Sequence, residues 1–432
     1  MAEHAYPAEL AQFVSGHWPR ARAPEAELSE CGTRPELLQS LISVCFQASL
    51  LREEARPVTF RAIFCRPECF RDNDGAVTGF HLLRFEEGRD FTPGELRALS
   101  QAANFYRSLI GVEVRPDGTP RIWGVVHSGP RWLREAYGGR RTSMPLPPSV
   151  VVCVNGPGYI EVCRGSTLVG QLRDGLVYDE SMNVFESRWL AEQYAAERNS
   201  LIAVHNESED GKNGARLDPG LPRKLGQQFF KRIIAAVQGS HHGGTIITVP
   251  EEMKAGLCCA NPYVNIKYRF AESGARARYR ALMLEIMRIV ATEQSAHTTV
   301  GWPEYEKSGN QNLFLLDEAL FEMSYLIAGL TAVDGAVIMT KRFELLGFGA
   351  EITCQDIDVP EVAKALDIEA ESVLLEHSDA VGTRHRSAYR FTKAVAGSIA
   401  VVISQDGDVR LVRNRDGQVT YWNHRPSLQV TP

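Results

Sequence analysis

The chain has 432 residues, 44% of them hydrophobic and 23% charged, with a formal net charge of −6. This is the make-up of a water-soluble globular protein with material for two cores, since domains run to roughly 100–200 residues. It excludes a global basic field for nucleic acid or anionic lipid, so any phosphate contact must come from a local cluster of Arg and Lys.

Residues 1 to about 55 read as polar and helical, ending in the run Leu37–Leu51. Residues 57–85 alternate as strands, with a turn at Asp72-Asn73-Asp74-Gly75. Residues 93–111 read as a helix, with Thr92 as N-cap and Glu95 completing a capping box. The stretch 121–180 is β-rich: Arg121–His127, Ser149–Asn155, Tyr159–Cys163 and Thr167–Leu172 are strand candidates. Phe185–Asn199 reads as a helix whose Trp189 and Tyr194 suit a core. The predicted domains are an α+β sensor or regulatory region at 1–205, a polar linker at 206–222 and a second domain at 223–432.

In that second part Leu225–Gln238 is an amphipathic helix, and Gly243-Gly244 leads into a buried strand, Thr245–Val249. Arg276–Glu293 and Leu313–Leu330 are predicted helices. Arg276, Arg278 and Arg280 read as a solvated face, and His241-His242 as a polar loop. Val337–Thr340 pairs with Glu344–Gly347, and Val359–Leu366 reads as a short helix. The chain closes in a meander, Ser398–Ser404, Asp408–Arg413 and Gln418–Trp422. The nine cysteines are scattered without zinc-site spacing, which suits buried thiols in a reducing compartment. No apolar signal-like core opens the chain and no window suits a membrane helix, so a cytoplasmic location is expected.

Two motifs carry chemistry. Asp334-Gly335-Ala336 lies where a helix gives way to a strand, so that Asp334 can ligate a divalent metal and the small residues leave room for a ligand. Gly382-Thr383-Arg384-His385-Arg386 opens a helix, with Thr383 as the expected N-cap. Helix N-termini bind anions, yet two Arg and a His in the first turn add positive charge to the positive end of the dipole. That conflict points to a bound anion, and the forks of Arg384 and Arg386 suit phosphate.

Asp334-Gly335-Ala336 followed about fifty residues later by Gly382–Arg386 resembles the signature pair of the diadenylate cyclase (DAC) family, which includes the DNA-integrity scanning proteins. Gly243–Val249, Leu346–Ile352 and Val401–Gly407 resemble flanking segments of that family, so the likeness covers roughly 225–425. It implies a mixed α/β class: a DAC-type domain with a central mixed sheet flanked by helices, behind the α+β N-terminal region. It also implies face-to-face protomers in a homo-oligomer, each holding one ATP, that form cyclic di-AMP with Mg²⁺ or Mn²⁺. Asp334 would hold the metal. Gly335 and Ala336 would pack on the nucleotide, and adenine would meet backbone near Ala350–Ile352. Gly382, Thr383, Arg384 and Arg386 would hold the phosphates, with His385 either donating to a phosphate or helping with the metal. Ser404 and the adjacent Gln405 would sit by the phosphates. Gln405 departs from the Glu that some members carry. The alternative is a catalytically silent sensor of a nucleotide or cyclic dinucleotide on the same fold; a scaffold would leave the Arg-His-Arg placement unexplained.

Overall fold

The computed structural model describes residues 4–18, 34–70, 80–103, 105, 107–127, 146–165, 167–178, 183–240, 242–257, 259–271, 273–294, 299–405 and 407–424. They form two compact units, one from described residues up to 178 and one from 183 to 424. The expected turn at 72–75 and His241 lie outside the described residues. Both units combine helices with mixed sheets, so the mixed α/β class holds.

In the first unit, helices α1 (Pro7–His17), α2 (Pro35–Ser49) and α3 (Pro93–Ala102) accompany strands β1 (Phe60–Phe64), β2 (His81–Asp90), β3 (Ser108–Val114), β4 (Pro120–His127), β5 (Val150–Gly156), β6 (Tyr159–Arg164), β7 (Thr167–Arg173) and β8 (Leu176–Tyr178). The strands form one sheet in the order β8-β7-β6-β5-β1-β3-β4-β2. Successive side chains of a strand face opposite ways. Val150, Val152 and Val154 accordingly join Leu10, Leu41 and Leu96 of the helices in one core. Val151 and Cys153 join Ile63, Trp123 and Val126 in another on the opposite face. Thr92 caps α3 as expected, its Oγ1 accepting from the Glu95 N–H at 3.3 Å. The helix predicted over 93–111 ends early, at Ala102, and Ser108–Val114 is a strand. Ile110 and Val112 pack in the core on one face of the sheet and Leu109 in the core on the other, which overrides local helix propensity.

The second unit holds helices α4 (Arg188–Gln193), α5 (Ala195–Glu207), α6 (Glu209–Asn213), α7 (Gly220–Ser240), α8 (Arg278–Thr292), α9 (Gln311–Leu330) and α10 (Thr383–Ala394). Its principal strands are β9 (Gly244–Val249), β10 (Val264–Arg269), β11 (Ala336–Thr340), β12 (Leu345–Ile352), β13 (Glu361–Ala365), β14 (Val373–His377), β15 (Ile399–Ile403), β16 (Val409–Arg415) and β17 (Gln418–His424). They form one sheet in the order β10-β12-β11-β9-β15-β16-β17-β13-β14. The pairs β9–β11 and β13–β17 are parallel and the rest antiparallel. Both faces are covered. Ile246, Val337, Met339 and Val401 pack with Phe229, Met283, Leu320 and Ile327 from α7, α8 and α9. Ile247, Ile338, Ala400 and Val402 pack with Ala388, Tyr389 and Phe391 of α10. A sheet buried on both faces requires continuous apolar strands, which is why Thr245–Val249 carries no polar alternation beyond its threonines.

Three expectations differ here. The predicted linker 206–222 is folded into this unit: it holds the end of α5, all of α6, and Arg216–Leu217, which pairs in parallel with Thr299–Val300. The chain divides instead near residues 179–182. Polar composition misled, because α6 is a surface helix with no buried residue. The helix expected at Val359–Leu366 is strand β13, laid between β14 and β17. Phe185–Asn199 is not one helix: a 3-10 turn, Val184–Glu186, precedes α4, and Tyr194 separates α4 from α5.

Candidate functional site

The topology of the second unit brings the two motifs to one end of its sheet. β9 is the pivot. On one side Thr245 is level with Ala336 of β11, so Asp334 and Gly335 lie just before that strand begins. On the other, Gly244 is level with Ile403 of β15, so Ser404 and Gln405 follow directly. Neighbouring strands lie ~4.8 Å apart, which sets β11, preceded by Asp334, and β15, followed by Ser404, about 10 Å from each other across β9.

Glycines make this corner possible. Gly335 has φ +112°, and a Cβ on it would stand 2.6 Å from the Gly349 carbonyl carbon and 2.7 Å from the Ala350 nitrogen. Any side chain would push β11 off β12. Gly243, at φ +66°, plays the same part for α10: a Cβ there would meet Arg384 Nη1 at 2.9 Å, Ile403 O at 2.7 Å and Gln405 N at 3.1 Å. Gly243 therefore makes room for the Arg384 guanidinium beside the end of β15. Gly243 was not singled out as a site residue in the sequence; its role depends on a contact with a residue far along the chain.

The helix bearing the second motif starts one residue earlier than its expected cap, Thr383, implies. Gly382 is the N-cap and Thr383 the first helical residue, with the Gly382 carbonyl accepting from His385 N at 3.1 Å and Arg386 N at 3.3 Å. Gly382 has no side chain to cap the first turn, and no side-chain cap is present. The exposed N–H groups at this end, next to exposed Thr383 and Arg384, are open to an anion.

His385 is held down to about 4, first by burial and then by the Arg410 and Arg384 guanidinium groups, against an opposing pull from Asp408. It is a neutral imidazole at pH 7. Two guanidinium groups beside it favour an anion over a metal cation at that ring. Ser404 starts a tight turn: its N–H donates to Asp408 O at 2.8 Å, and its Oγ accepts from the Asp408 N–H at 3.0 Å. The Ser404 O–H is left to donate outward.

Arg386 goes elsewhere. Residues two apart on a helix point about 200° from one another. Arg386 lines a neighbouring cavity of about 280 Å³ with Asp358, His377, Asp379, Tyr389 and Arg390. Arg384 and Arg386 thus do not converge on one point.

Asp334 is exposed, and among the described residues its carboxylate has no ion pair or hydrogen bond. It follows the C-terminal turn of α9, whose carbonyl end carries partial negative charge that favours a cation. Among the described residues no three His, Cys, Asp or Glu side chains converge on a metal site. A single carboxylate fits Mg²⁺ or Mn²⁺ when substrate phosphates and water supply the other ligands. The corner is therefore polarised, with a carboxylate and helix C-terminus on one side of β9, and a guanidinium and helix N-terminus on the other.

The β11–β12 ladder stops at Ala336–Ala350, so Ile352 stands at about the level of Asp334. On their other side Glu351 and Ile352 pair with Asn265 and Val264 of β10. The β11-facing edge of Glu351–Ile352 lies beyond the ladder, where a flat base can meet backbone. Tyr268, half-exposed and stacked on Phe348 with centroids 4.8 Å apart, closes this side against Gly349. Its spacing from the motifs in sequence gave no signal.

Comparison with known proteins bears on the first unit. Residues 29–127 match the family model described as "Probable sensor domain DACNV". This supports the reading of the N-terminal region as a sensor of the kind that accompanies diadenylate cyclases. No curated protein matches the chain. Among the described residues no helix is long and apolar enough to cross a membrane.

Proposed function

We propose that the second unit is a diadenylate cyclase whose activity the first unit regulates. The observation that carries this reading is the corner at β9, where Asp334 and the Arg384-bearing helix N-terminus flank one strand. The sensor match at 29–127 supports it from the other unit.

In this reading ATP lies along the corner, its base against the backbone of Glu351–Ile352 and its phosphates at the first turn of α10. The uncapped N–H groups of that turn, the Arg384 guanidinium and the Ser404 O–H hold the phosphates and stabilise the charge that grows on them. Neutral His385 donates one ring N–H to a phosphate oxygen. Gly335 and Ala336 keep the floor flat. Asp334 would hold Mg²⁺ or Mn²⁺, which supplies Lewis-acid stabilisation and makes a 3′-hydroxyl more acidic. Two protomers of a homo-oligomer face one another. The 3′-oxygen of one ATP attacks the α-phosphorus of the other, the bond to pyrophosphate breaks, and the hydroxyl proton passes to solvent. The same exchange in the opposite sense closes the ring, giving cyclic di-AMP and two pyrophosphates. Arg386, in its own cavity, serves a position outside the phosphate corner of its own protomer.

The same corner could bind a nucleotide without turnover, and pyrophosphate release distinguishes the two readings. The test is ATP binding by calorimetry alongside pyrophosphate release, for the unaltered protein and Asp334→Asn. A cyclase releases pyrophosphate, and the variant binds ATP but releases about a hundredfold less or lower. Equal release by both proteins would contradict the role of Asp334; ATP binding without release by either would favour the sensor.

A further inference from the structure

A second cavity lies in the same unit, away from Asp334 and Arg384. It opens among α4, α5, the first half of α7, the first turn of α8 and the Lys341–Phe343 turn that joins β11 to β12. Its interior is apolar and aromatic, with Leu190, Tyr194, Phe230, Tyr279 and Phe343 among its walls. Tyr194 stacks on Phe343 with centroids 5.8 Å apart and planes 8° from parallel. The Tyr194 hydroxyl is already engaged by Thr248 Oγ1 at 2.9 Å, so the ring presents a face and not a polar group.

The charge around this apolar interior is one-sided. Arg198, Arg223, Arg280, Lys341 and Arg342 line it, against one carboxylate, Glu197. Glu197 is spent on Arg342, whose Nε donates to it. Arg280 sits in the first turn of α8, where Ala277 is the N-cap and offers no side-chain cap, so a guanidinium stands at the positive end of a helix. Its Nη2 donates to Ser200 Oγ at 3.1 Å, while Nη1 is buried without a hydrogen-bond partner among the described residues. A buried donor left without a partner is costly, more so when charged. Arg280 is held below its ordinary value by burial and then by Arg342, and Arg198 by burial and then by Arg223. Lys341 is brought down to about 8, by burial first and then by Arg413. Gathering several partly buried cations around one lining carboxylate is unfavourable unless something anionic joins them. Arg280 is therefore not the solvated residue that its sequence context suggests.

Size narrows the occupant. The cavity is partly open to solvent, with an interior space of about 60 Å³, where one water needs about 10–15 Å³ of such volume. The interior takes a single ring or a short acyl chain.

We propose that this cavity binds a small amphipathic anion, a monocyclic aromatic or short acyl group bearing a carboxylate or phosphate. The apolar part enters between Tyr194, Phe230 and Phe343, and the anion closes over Arg198, Arg223 and Arg280. The site stands apart from the proposed cyclase corner and does not depend on it.

Calorimetric titration of the full chain with phenyl phosphate, benzoate, inorganic phosphate and phenol tests this. An Arg384→Ala background removes the phosphate site proposed for ATP. Saturable binding of phenyl phosphate or benzoate is expected there, with phenol and inorganic phosphate each about tenfold weaker or more, because each lacks one half of the recognition. Arg280→Gln is expected to weaken binding about tenfold, the effect of one charge-assisted hydrogen bond. Arg223→Gln, at an exposed position, is expected to weaken it in the same direction if Arg280→Gln fails to fold. The proposal is overturned by absence of saturable binding of both aromatic anions, by inorganic phosphate binding as tightly as phenyl phosphate, or by binding that neither arginine variant changes.

Discussion

Gly335 and Gly243 each hold a backbone conformation and a close approach that no side chain allows. Gly335→Ala would add both φ strain at +112° and an overlap with the Gly349–Ala350 backbone. It is expected to destabilise the second unit by about 1–3 kcal/mol and to lower activity together with nucleotide binding. Denaturant midpoints and ATP titration check this; unaltered stability would mean that β11 and β12 can separate at no cost. Gly243→Ala is expected to act differently, by displacing the Arg384 guanidinium, so that phosphate affinity falls before stability does. At this scale the sequence was legible where chemistry is local. Asp334, Arg384 and His385 stood out because their residue types conflict with, or serve, the element they open. Arg386 was legible as basic, but the cavity it lines was not, because Asp358, His377 and Asp379 come to it from other parts of the chain. Gly243, Tyr268 and Arg410 were silent, because each matters through partners remote in sequence.

Elements of the second unit are tied together by buried polar groups as well as by apolar packing. Arg232 of α7 and Asp317 of α9 form an ion pair at 2.8 Å, almost wholly buried, to which the Tyr305 hydroxyl also donates at 3.3 Å. Removing one partner leaves the other charge in the core. Asp317→Ala is therefore expected to cost about 3–5 kcal/mol, measured by denaturant unfolding. A loss below about 1 kcal/mol would show that water reaches Arg232. His424 on β17 is fully buried, its Nδ1 accepting from the Val184 N–H at 3.3 Å, and burial followed by Lys231 lowers it to about 3. Its unfolded value is about 6.5. The unfolded chain binds the proton more readily, so the stability from neutral His424 is fully present above about pH 6.5 and is lost as pH falls toward 3. His385, held down to about 4, adds a loss of the same sign between about pH 6.5 and 4. Unfolding of a fragment starting at Asn183 should be easier at pH 5 than at pH 7, and a flat profile would contradict buried neutral imidazoles. Element type was readable where period and length agreed, as in α7, β9 and the closing meander. It failed at 93–111 and at 359–366, where short apolar runs suit either helix or strand and only sheet neighbours decide. It failed at 206–222 because a surface helix and a linker share a polar composition.

For the whole molecule, a sensor match in the first unit and a polarised corner at β9 in the second are what the proposed regulated cyclase rests on. A fragment from Asn183 retains α4 and α5, whose Trp189, Leu190 and Leu201 belong to the core. It is expected to fold, whereas one beginning at Arg223 loses those residues and should aggregate or unfold. Solubility and cooperative unfolding of the two fragments compare them directly. Because each protomer would hold one ATP, activity should rise more steeply than protein concentration near the assembly constant. Strict proportionality where the protein is shown to be monomeric would contradict face-to-face catalysis. The measurement that reaches the centre of the account is incubation of the protein with divalent metal and a mixture of unlabelled and isotope-labelled ATP, the product being resolved by chromatography and weighed by mass spectrometry. Cyclic di-AMP in light, mixed and heavy forms in the statistical ratio is expected from the unaltered protein, and about a hundredfold less or lower from Asp334→Asn. A product formed from a single ATP, or cyclic di-AMP made equally well without the Asp334 carboxylate, would contradict it.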